Sequence, residues 1–132
     1  MSWENEVEYL SKILSDLSFC DENNKALACD EGFQRWSNVT ESVRVNKGTI
    51  YLIGNGASAS MASHFAADLA KNGHLHTQVF SDLALITAIS NDISFEQVFA
   101  EPLKRRGKDG DMLVAISSSG SSPNILSAVE VG

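Results

Sequence analysis

The chain has 132 residues, 43% of them hydrophobic and 20% charged, which is the composition of one folded domain and not of a disordered chain. Ten lysines and arginines against 17 aspartates and glutamates give a net charge of −7, which argues against nucleic acid as a partner. No apolar run approaches the ~20 residues of a membrane span, and the acidic N-terminus lacks the basic start of a signal peptide. We therefore expect a cytoplasmic protein that contacts no membrane.

Residues 1–48 are predicted to form a helical N-terminal extension. Apolar residues at spacings of three and four predict amphipathic helices over 3–20 and 26–46, separated by a polar break. Trp3 and Trp36 are the largest side chains of an apolar stripe on this helical hairpin. The stripe has few partners within its own domain, so we expect a homo-oligomer. Cys20 and Cys29 match no metal-binding spacing. We expect reduced thiols, with Cys20 on the inner face of the first helix.

Residues 49–132 alternate between short apolar, β-branched runs and helical patterns. The predicted strands are 49–53, 77–80 and 112–116, and the predicted helices are 58–72, 83–90, 95–104 and 123–131. Such alternation is typical of βαβ units, so the sequence predicts an α/β fold of three layers with a parallel sheet between helices. Three strands make a thin sheet, and the last helix has hardly begun at Gly132. We therefore expect 49–132 to be the front part of a larger domain.

Two loops rich in glycine or serine follow predicted strands and precede predicted helices. The first loop, residues 54–58, reads Gly-Asn-Gly-Ala-Ser, and the second loop, residues 117–122, reads Ser-Ser-Ser-Gly-Ser-Ser. Backbone N–H groups at such helix starts are suited to hold a phosphate. Because parallel strands end at one edge of a sheet, where open α/β sheets bind ligands, the two loops together favour a sugar phosphate.

Other interpretations of these residues stay open. The first loop is also a variant of the Gly-x-Gly-x-x-Ala dinucleotide fingerprint, with Asp82 at the distance of a ribose-binding acid, or a tight turn without a ligand. His64 and Asp68 lie four residues apart, so they share one face of the predicted helix. They could bind a metal ion, transfer protons or form a surface hydrogen bond with each other. His74 and His76 are expected in a loop, without a partner or a role.

The two loops, the His64–Asp68 segment and the dipeptide Asn91-Asp92 occur in the order and spacing of the sugar isomerase (SIS) domain. Over nearly the whole chain the sequence resembles the phosphoheptose isomerase branch of that family. The resemblance implies a flavodoxin-like fold, a homotetramer and a reaction in bacterial lipopolysaccharide heptose synthesis. That reaction converts sedoheptulose 7-phosphate to glycero-manno-heptose 7-phosphate by aldose–ketose isomerisation through an enediol.

The resemblance also implies roles for individual residues. Sugar contacts are implied for the first loop and the middle dipeptide, and phosphate contacts for the second loop: Asn55, Gly56, Ala57, Ser58, Asn91, Asp92, Ser117, Ser118, Ser119 and Ser122. His64 matches a ligand of one zinc ion per subunit. Asp68 matches a position that is usually Glu and serves as zinc ligand, substrate contact and catalytic acid/base.

Three departures from the family pattern bear on activity. Ala57 replaces a second glycine, Asp68 is one methylene shorter than Glu, and the family's remaining Gln and His ligands belong to a C-terminal segment absent from these residues. We therefore expect about half an active site, and negligible isomerase activity from this chain alone. The alternative function is a non-catalytic SIS module that binds a sugar phosphate or associates with a replication initiator, as one relative in this branch does.

Overall fold

Six α-helices, five β-strands and one 3₁₀ turn make up residues 2–132, which a computed structural model describes. In chain order they are α1 (Trp3–Ser15), β1 (Phe19–Cys20), β2 (Ala26–Leu27), α2 (Cys29–Val45), β3 (Thr49–Gly54), α3 (Ala57–Gly73), β4 (His76–Val79), α4 (Leu83–Asp92), the 3₁₀ turn (Phe95–Gln97), α5 (Ala100–Arg106), β5 (Met112–Ile116) and α6 (Pro123–Val129). The contacts divide the chain into a unit that ends at Val39 and a unit from Thr40 to Gly132. The domain boundary at 48/49 stays a prediction.

The first helix is shorter than its apolar pattern predicted. It begins after Ser2, whose Oγ accepts a hydrogen bond from the Asn5 backbone N–H, and none of its residues is buried. The predicted extension to residue 20 is wrong because β1 and β2 form an antiparallel hairpin. In that turn the Asp21 carboxylate accepts the backbone N–H groups of Asn23 and Lys25, both at 2.9 Å, which competes with helix formation.

Both cysteines lie on or beside this hairpin. The predicted position of Cys20 on the inner face of a helix is wrong, because Cys20 is an exposed residue of β1. Cys29 is exposed at the start of α2, with its Sγ 3.1 Å from the backbone oxygen of Leu17. The second helix therefore starts three residues later than predicted, after the strand that pairs Ala26 with Cys20.

The larger unit contains a parallel sheet with the strand order β4-β3-β5. β3 pairs with β4 from Thr49↔His76 and with β5 from Ile50↔Met112 to Gly54↔Ile116. All six residues of β3 are buried, as its continuous apolar sequence predicted for a central parallel strand. The predicted α/β architecture with a parallel sheet is thereby confirmed.

Alternate residues of β3 enter two separate cores on opposite faces of the sheet. Ile50 and Leu52 pack against the helix residues Val43, Ala62 and Ala66. On the other face lie Tyr51, Ile53, Phe80, Val98, Phe99, Leu103, Ile125 and Ala128. The sheet is therefore the middle of three layers, because the period-two alternation of a strand feeds both helical layers.

Tyr51 fixes one of these cores to the end of α5. Its hydroxyl donates to the backbone oxygen of Arg106 at 2.9 Å, and its ring stacks on Phe80 with 5.6 Å between ring centroids. Burial raises the pKa of Tyr51, and the carboxylate of Asp111 raises it further. Tyr51 is therefore a neutral hydrogen-bond donor at physiological pH.

Several helix bounds differ from the sequence prediction. The predicted helix 95–104 is a 3₁₀ turn followed by α5, which starts at Ala100 because Pro102 is tolerated only in a first turn. The last helix ends at Val129 and not at Val131. Among residues 2–132, no helix has both the length and the apolar composition needed to cross a bilayer.

Candidate functional site

The two loops begin side by side at the carboxyl edge of the sheet. β3 ends at Gly54 and β5 ends at Ile116, and these two residues are register partners. The first loop leads from Gly54 into α3, and the second loop leads from Ile116 into α6. Parallel pairing thus places both helix starts at one edge, which is where open α/β sheets bind ligands.

Two glycines let the first loop turn sharply. A Cβ on Gly54 would lie 2.6 Å from the backbone carbon and oxygen of Ser58, so only glycine allows this close approach. Gly56 has φ +55° and is the N-cap of α3, without a side-chain cap. The N–H groups of Ser58 and Ala59 donate to backbone oxygens of the loop, so among the described residues the start of α3 presents the N–H groups of Gly56 and Ala57, without a competing side-chain cap.

The second loop is shaped by its own hydroxyl groups. Ser117 Oγ accepts from the Gly120 backbone N–H at 3.1 Å, and Ser119 Oγ accepts from the Ser121 N–H at 3.2 Å. Ser118 is exposed, and Ser122 is the N-cap of α6 without a side-chain cap bond. The oxygens of Ser117 and Ser119 thus hold the backbone as acceptors. The hydroxyl protons of Ser118, Ser119 and Ser122 are available for donation to an anion.

A pair of asparagines joins the first loop to α6. Asn55 Nδ2 donates to Asn124 Oδ1 at 2.9 Å, and Asn124 Nδ2 donates to Asn55 Oδ1 at 2.8 Å. Asn124 is 2% exposed. Asn124 is the last residue of the serine-rich motif, but no role was predicted for it. Nothing in the sequence signals a pairing between residues that are 69 positions apart.

His64 and Asp68 meet on the face of α3 opposite its buried Ala62 and Ala66. His64 Nε2 lies 3.3 Å from Asp68 Oδ2, and the two side chains are 82% and 50% exposed. Two zinc ligands, each about 2.0–2.1 Å from the ion at the tetrahedral angle, lie about 3.3 Å apart, so the pair fits half of a zinc site. Within the described part of the chain, no group of three His, Cys, Asp or Glu side chains could hold a metal ion.

The remaining candidate residues lie elsewhere. Asn91 and Asp92 occupy the last turn of α4, not a break between helices, because backbone hydrogen bonding continues from Ile93 N–H to the Ile89 oxygen. Their side chains bond to each other at 2.9 Å, and no hydrogen bond in the described structure joins them to either loop.

Two further side chains have partners that sequence reasoning did not foresee. The Asp82 carboxylate accepts from the Leu85 backbone N–H at 2.8 Å and caps α4, which speaks against its use as a ribose-binding acid. His76 is the first residue of β4, and its Nδ1 lies 3.0 Å from Thr49 Oγ1, so the expectation of a loop histidine without a partner is wrong. His74 is the left-handed C-cap of α3.

A cleft of about 640 Å³ lies at the opposite edge of the sheet. It is lined by residues at the amino end of β5, with Tyr51, Lys104, Lys108 and Gly132 among them. None of the predicted site residues lines it. Volume alone therefore does not locate the candidate site, and the loop pairing at the carboxyl edge does.

Comparison with known proteins places the chain in a family. The model of the SIS domain matches residues 26–132. A phosphoheptose isomerase of Helicobacter pylori (strain ATCC 700392 / 26695) is 43% identical over 91 residues, which is 64% of this chain and 47% of that protein. A phosphoheptose isomerase of Laribacter hongkongensis is 40% identical over 91 residues, again 64% of this chain and 46% of the relative.

Two solved structures share the fold. Phosphoheptose isomerase GmhA from Neisseria gonorrhoeae matches with a TM-score of 0.70 and 36% identity, over 74% of this chain and 53% of that one. A phosphoheptose isomerase from Francisella tularensis matches with a TM-score of 0.75 and 29% identity, over 99% of this chain and 70% of that one. The chain spans about half the length of the curated relatives it matches. Because the family model covers most of its residues, the chain belongs to the SIS domain family.

Proposed function

We propose that this chain carries the sugar-phosphate-binding half of a phosphoheptose isomerase that acts on sedoheptulose 7-phosphate in the cytoplasm. The observation that carries the proposal is the pairing of two phosphate-type loops at one sheet edge, in register at Gly54↔Ile116. The relatives that are 40–43% identical are named phosphoheptose isomerases, which supports the choice of substrate. A sugar phosphate suits two such loops, because it has a phosphate for one of them and hydroxyl groups for the other.

The proposed chemistry is a proton transfer between adjacent carbons of the sugar. The second loop binds the phosphate and holds the reacting carbons in place by remote binding energy. Asp68 takes the proton from the carbon beside the carbonyl group as a general base and returns it to the former carbonyl carbon, while a second acid/base group moves the hydroxyl proton to the former carbonyl oxygen. His64 and Asp68 would hold the zinc ion, which when bound polarises the carbonyl oxygen.

The proposal is tested by titrating the ¹⁵N-labelled chain with sedoheptulose 7-phosphate and following backbone amide chemical shifts. We expect saturable shifts at Gly56 and Gly120, one in each loop, with inorganic phosphate competing at Gly120 alone. Shifts in neither loop at millimolar sugar phosphate would refute the proposed function.

Replacing Ser119 and Ser122 together by Ala is expected to weaken sugar-phosphate binding. Each charge-assisted hydrogen bond to the phosphate contributes about 1.5–3 kcal/mol, so the dissociation constant should rise at least tenfold. The measurement is the same titration, with urea unfolding to compare the stability of the variants. Ser11→Ala, at an exposed position of α1, is the matched control and should bind like the wild type.

The alternative proposal, a non-catalytic module that binds a sugar phosphate or a replication initiator, is favoured by one observation. His64 is exposed and Asp68 half-exposed, and no third metal-ligand side chain of the described chain joins them. Binding of sedoheptulose 7-phosphate without turnover in a longer protein with this sequence would support the alternative. Turnover there would support the isomerase.

We also propose a homo-oligomer, a tetramer by family resemblance, with α1 in the contact. Trp3 is 77% exposed, Leu10 58% and Leu14 76%, which is unusual for a stripe of large apolar side chains on one helix. We expect light scattering at micromolar concentration to give a mass above 14.3 kDa, and Leu10→Glu with Leu14→Glu to reduce it to that of one chain. Glu6→Gln on the same helix is the control, and a monomeric wild type would contradict the proposal.

A further inference from the structure

Asn55 and Asn124 form two hydrogen bonds, and among the residues described no other side-chain pair joins the two helix starts by hydrogen bonds. Asn55 directly follows β3, and Asn124 is the second residue of α6. The pair therefore ties the first loop to the helix that the second loop enters. The backbone pairing of β3 with β5 is one connection between the two loops. The asparagine pair is a second one, and it lies beyond the ends of both strands.

Two reciprocal bonds restrict the loops more than one bond does. Each amide uses one N–H and one oxygen lone pair on the other, at 2.9 and 2.8 Å, so the two planar groups are fixed in distance and in orientation. The pairing also satisfies the buried amide of Asn124, and no buried side-chain nitrogen or oxygen in residues 2–132 lacks a partner. If a substitution removes one of the two amides, the other amide is left without a hydrogen-bond partner.

Asn124 is too deeply buried to contact a ligand in this arrangement, at 2% exposure. Asn55 is partly exposed, and its backbone oxygen accepts the Ser58 N–H at 3.0 Å to close the first loop. The side chain of Asn55 is turned toward α6, so the part of the first loop that faces outward is the backbone around Gly56. The asparagine pair thus sets where that backbone stands relative to the second loop.

We propose that Asn124 is a positioning residue, which through Asn55 holds the first loop at the spacing from the second loop that a sugar phosphate requires. This inference rests on the proposed function, because the ligand that spans the loops is the proposed sugar phosphate. It assigns to the side chain of Asn55 a bridging role, so the sugar contact of the first loop falls to the loop backbone.

The test is a double-mutant cycle on the ¹⁵N-labelled 132-residue chain, titrated with sedoheptulose 7-phosphate. We expect Asn55→Ala and Asn124→Ala each to raise the dissociation constant about tenfold, and the double variant to raise it no further, because either substitution breaks the same pair. Asn124→Leu keeps the branched shape and the number of side-chain heavy atoms, at a somewhat larger volume, and removes the pairing, so it should weaken binding like Asn124→Ala. Asn38→Ala removes an exposed amide pair with Gln34 on α2 and is the control.

The outcomes separate this inference from the function on which it rests. If wild-type chain does not bind sedoheptulose 7-phosphate, the proposed function fails and this inference falls with it. If wild type binds and Asn124→Leu binds equally well, Asn124 only fills space and the inference alone is overturned. Should a variant at 124 fail to fold, Asn55→Ala decides: unchanged affinity refutes the positioning role, and weakened affinity with an unchanged fold supports it.

Discussion

The 132-residue chain is expected to show no isomerase turnover above background, even with added zinc. His64 and Asp68 supply two ligands, whereas a stable catalytic zinc site takes three protein ligands, and no third joins them within the described residues. The measurement is a coupled assay on sedoheptulose 7-phosphate, with isothermal titration of zinc into metal-free chain. We expect a zinc affinity weaker by orders of magnitude than that of a complete site.

Two controls make this expectation decisive. The positive control for turnover is the phosphoheptose isomerase of Neisseria gonorrhoeae. The match with the present chain covers 53% of that protein's chain. His64→Ala in the present chain should remove what weak zinc binding there is. Turnover of the chain comparable to that of the positive control would show that His64 and Asp68 suffice, or that another residue performs the proton transfer.

Replacing Gly54 by Ala is expected to destabilise the chain by about 3 kcal/mol and to abolish ligand-induced shifts in the first loop. The added Cβ would stand 2.6 Å from the backbone carbon and oxygen of Ser58, which cannot move aside as the end of a flexible side chain can. The end of β3 and the start of α3 must then separate. Urea unfolding measures the loss of stability, and the sugar-phosphate titration measures the loss of binding.

Gly110→Ala is the matched control for this substitution. Gly110 has φ +88° and no atom within 4 Å of an added Cβ, so the change costs only about 1 kcal/mol of backbone strain. It lies in the turn before β5, at the edge of the sheet opposite the loops. Gly54 does not have a positive φ, so the close approach at Ser58 is the only cost expected there. A loss of stability no larger than that of Gly110→Ala would contradict this account.

The sequence predicted the sheet and both loops because each depends on local signals. The β-branched run of β3 and the apolar run of β5 are bounded by glycine and serine, and strand pairing follows from the βαβ order. The first helix was overextended because its apolar period continues into Phe19 and Cys20, where an aspartate-stabilised turn prevails. The spacing of apolar residues alone does not show where a side chain competes with the helix for backbone hydrogen bonds.

The candidate site was only partly predictable for a different reason. The placement of the two loops follows from parallel strands, but the Asn55–Asn124 bridge depends on side-chain orientations set by tertiary packing across 69 residues. The spacing of His64 and Asp68 predicted their contact, since residues four apart share a helix face. The same spacing did not predict how far that face is exposed, which depends on what α3 packs against.

The strand order has a consequence for how the site forms in time. β3 pairs with β4 over a separation of 27 residues and with β5 over a separation of 62 residues. Because closing a longer loop is slower, we expect the β3-α3-β4 segment to assemble first and β5 to dock last, which pulsed hydrogen exchange would refute if β5 amides were protected first. The first loop then exists before the second faces it, so a sugar phosphate that needs both would stabilise only the fully assembled chain and would not guide the early steps of folding.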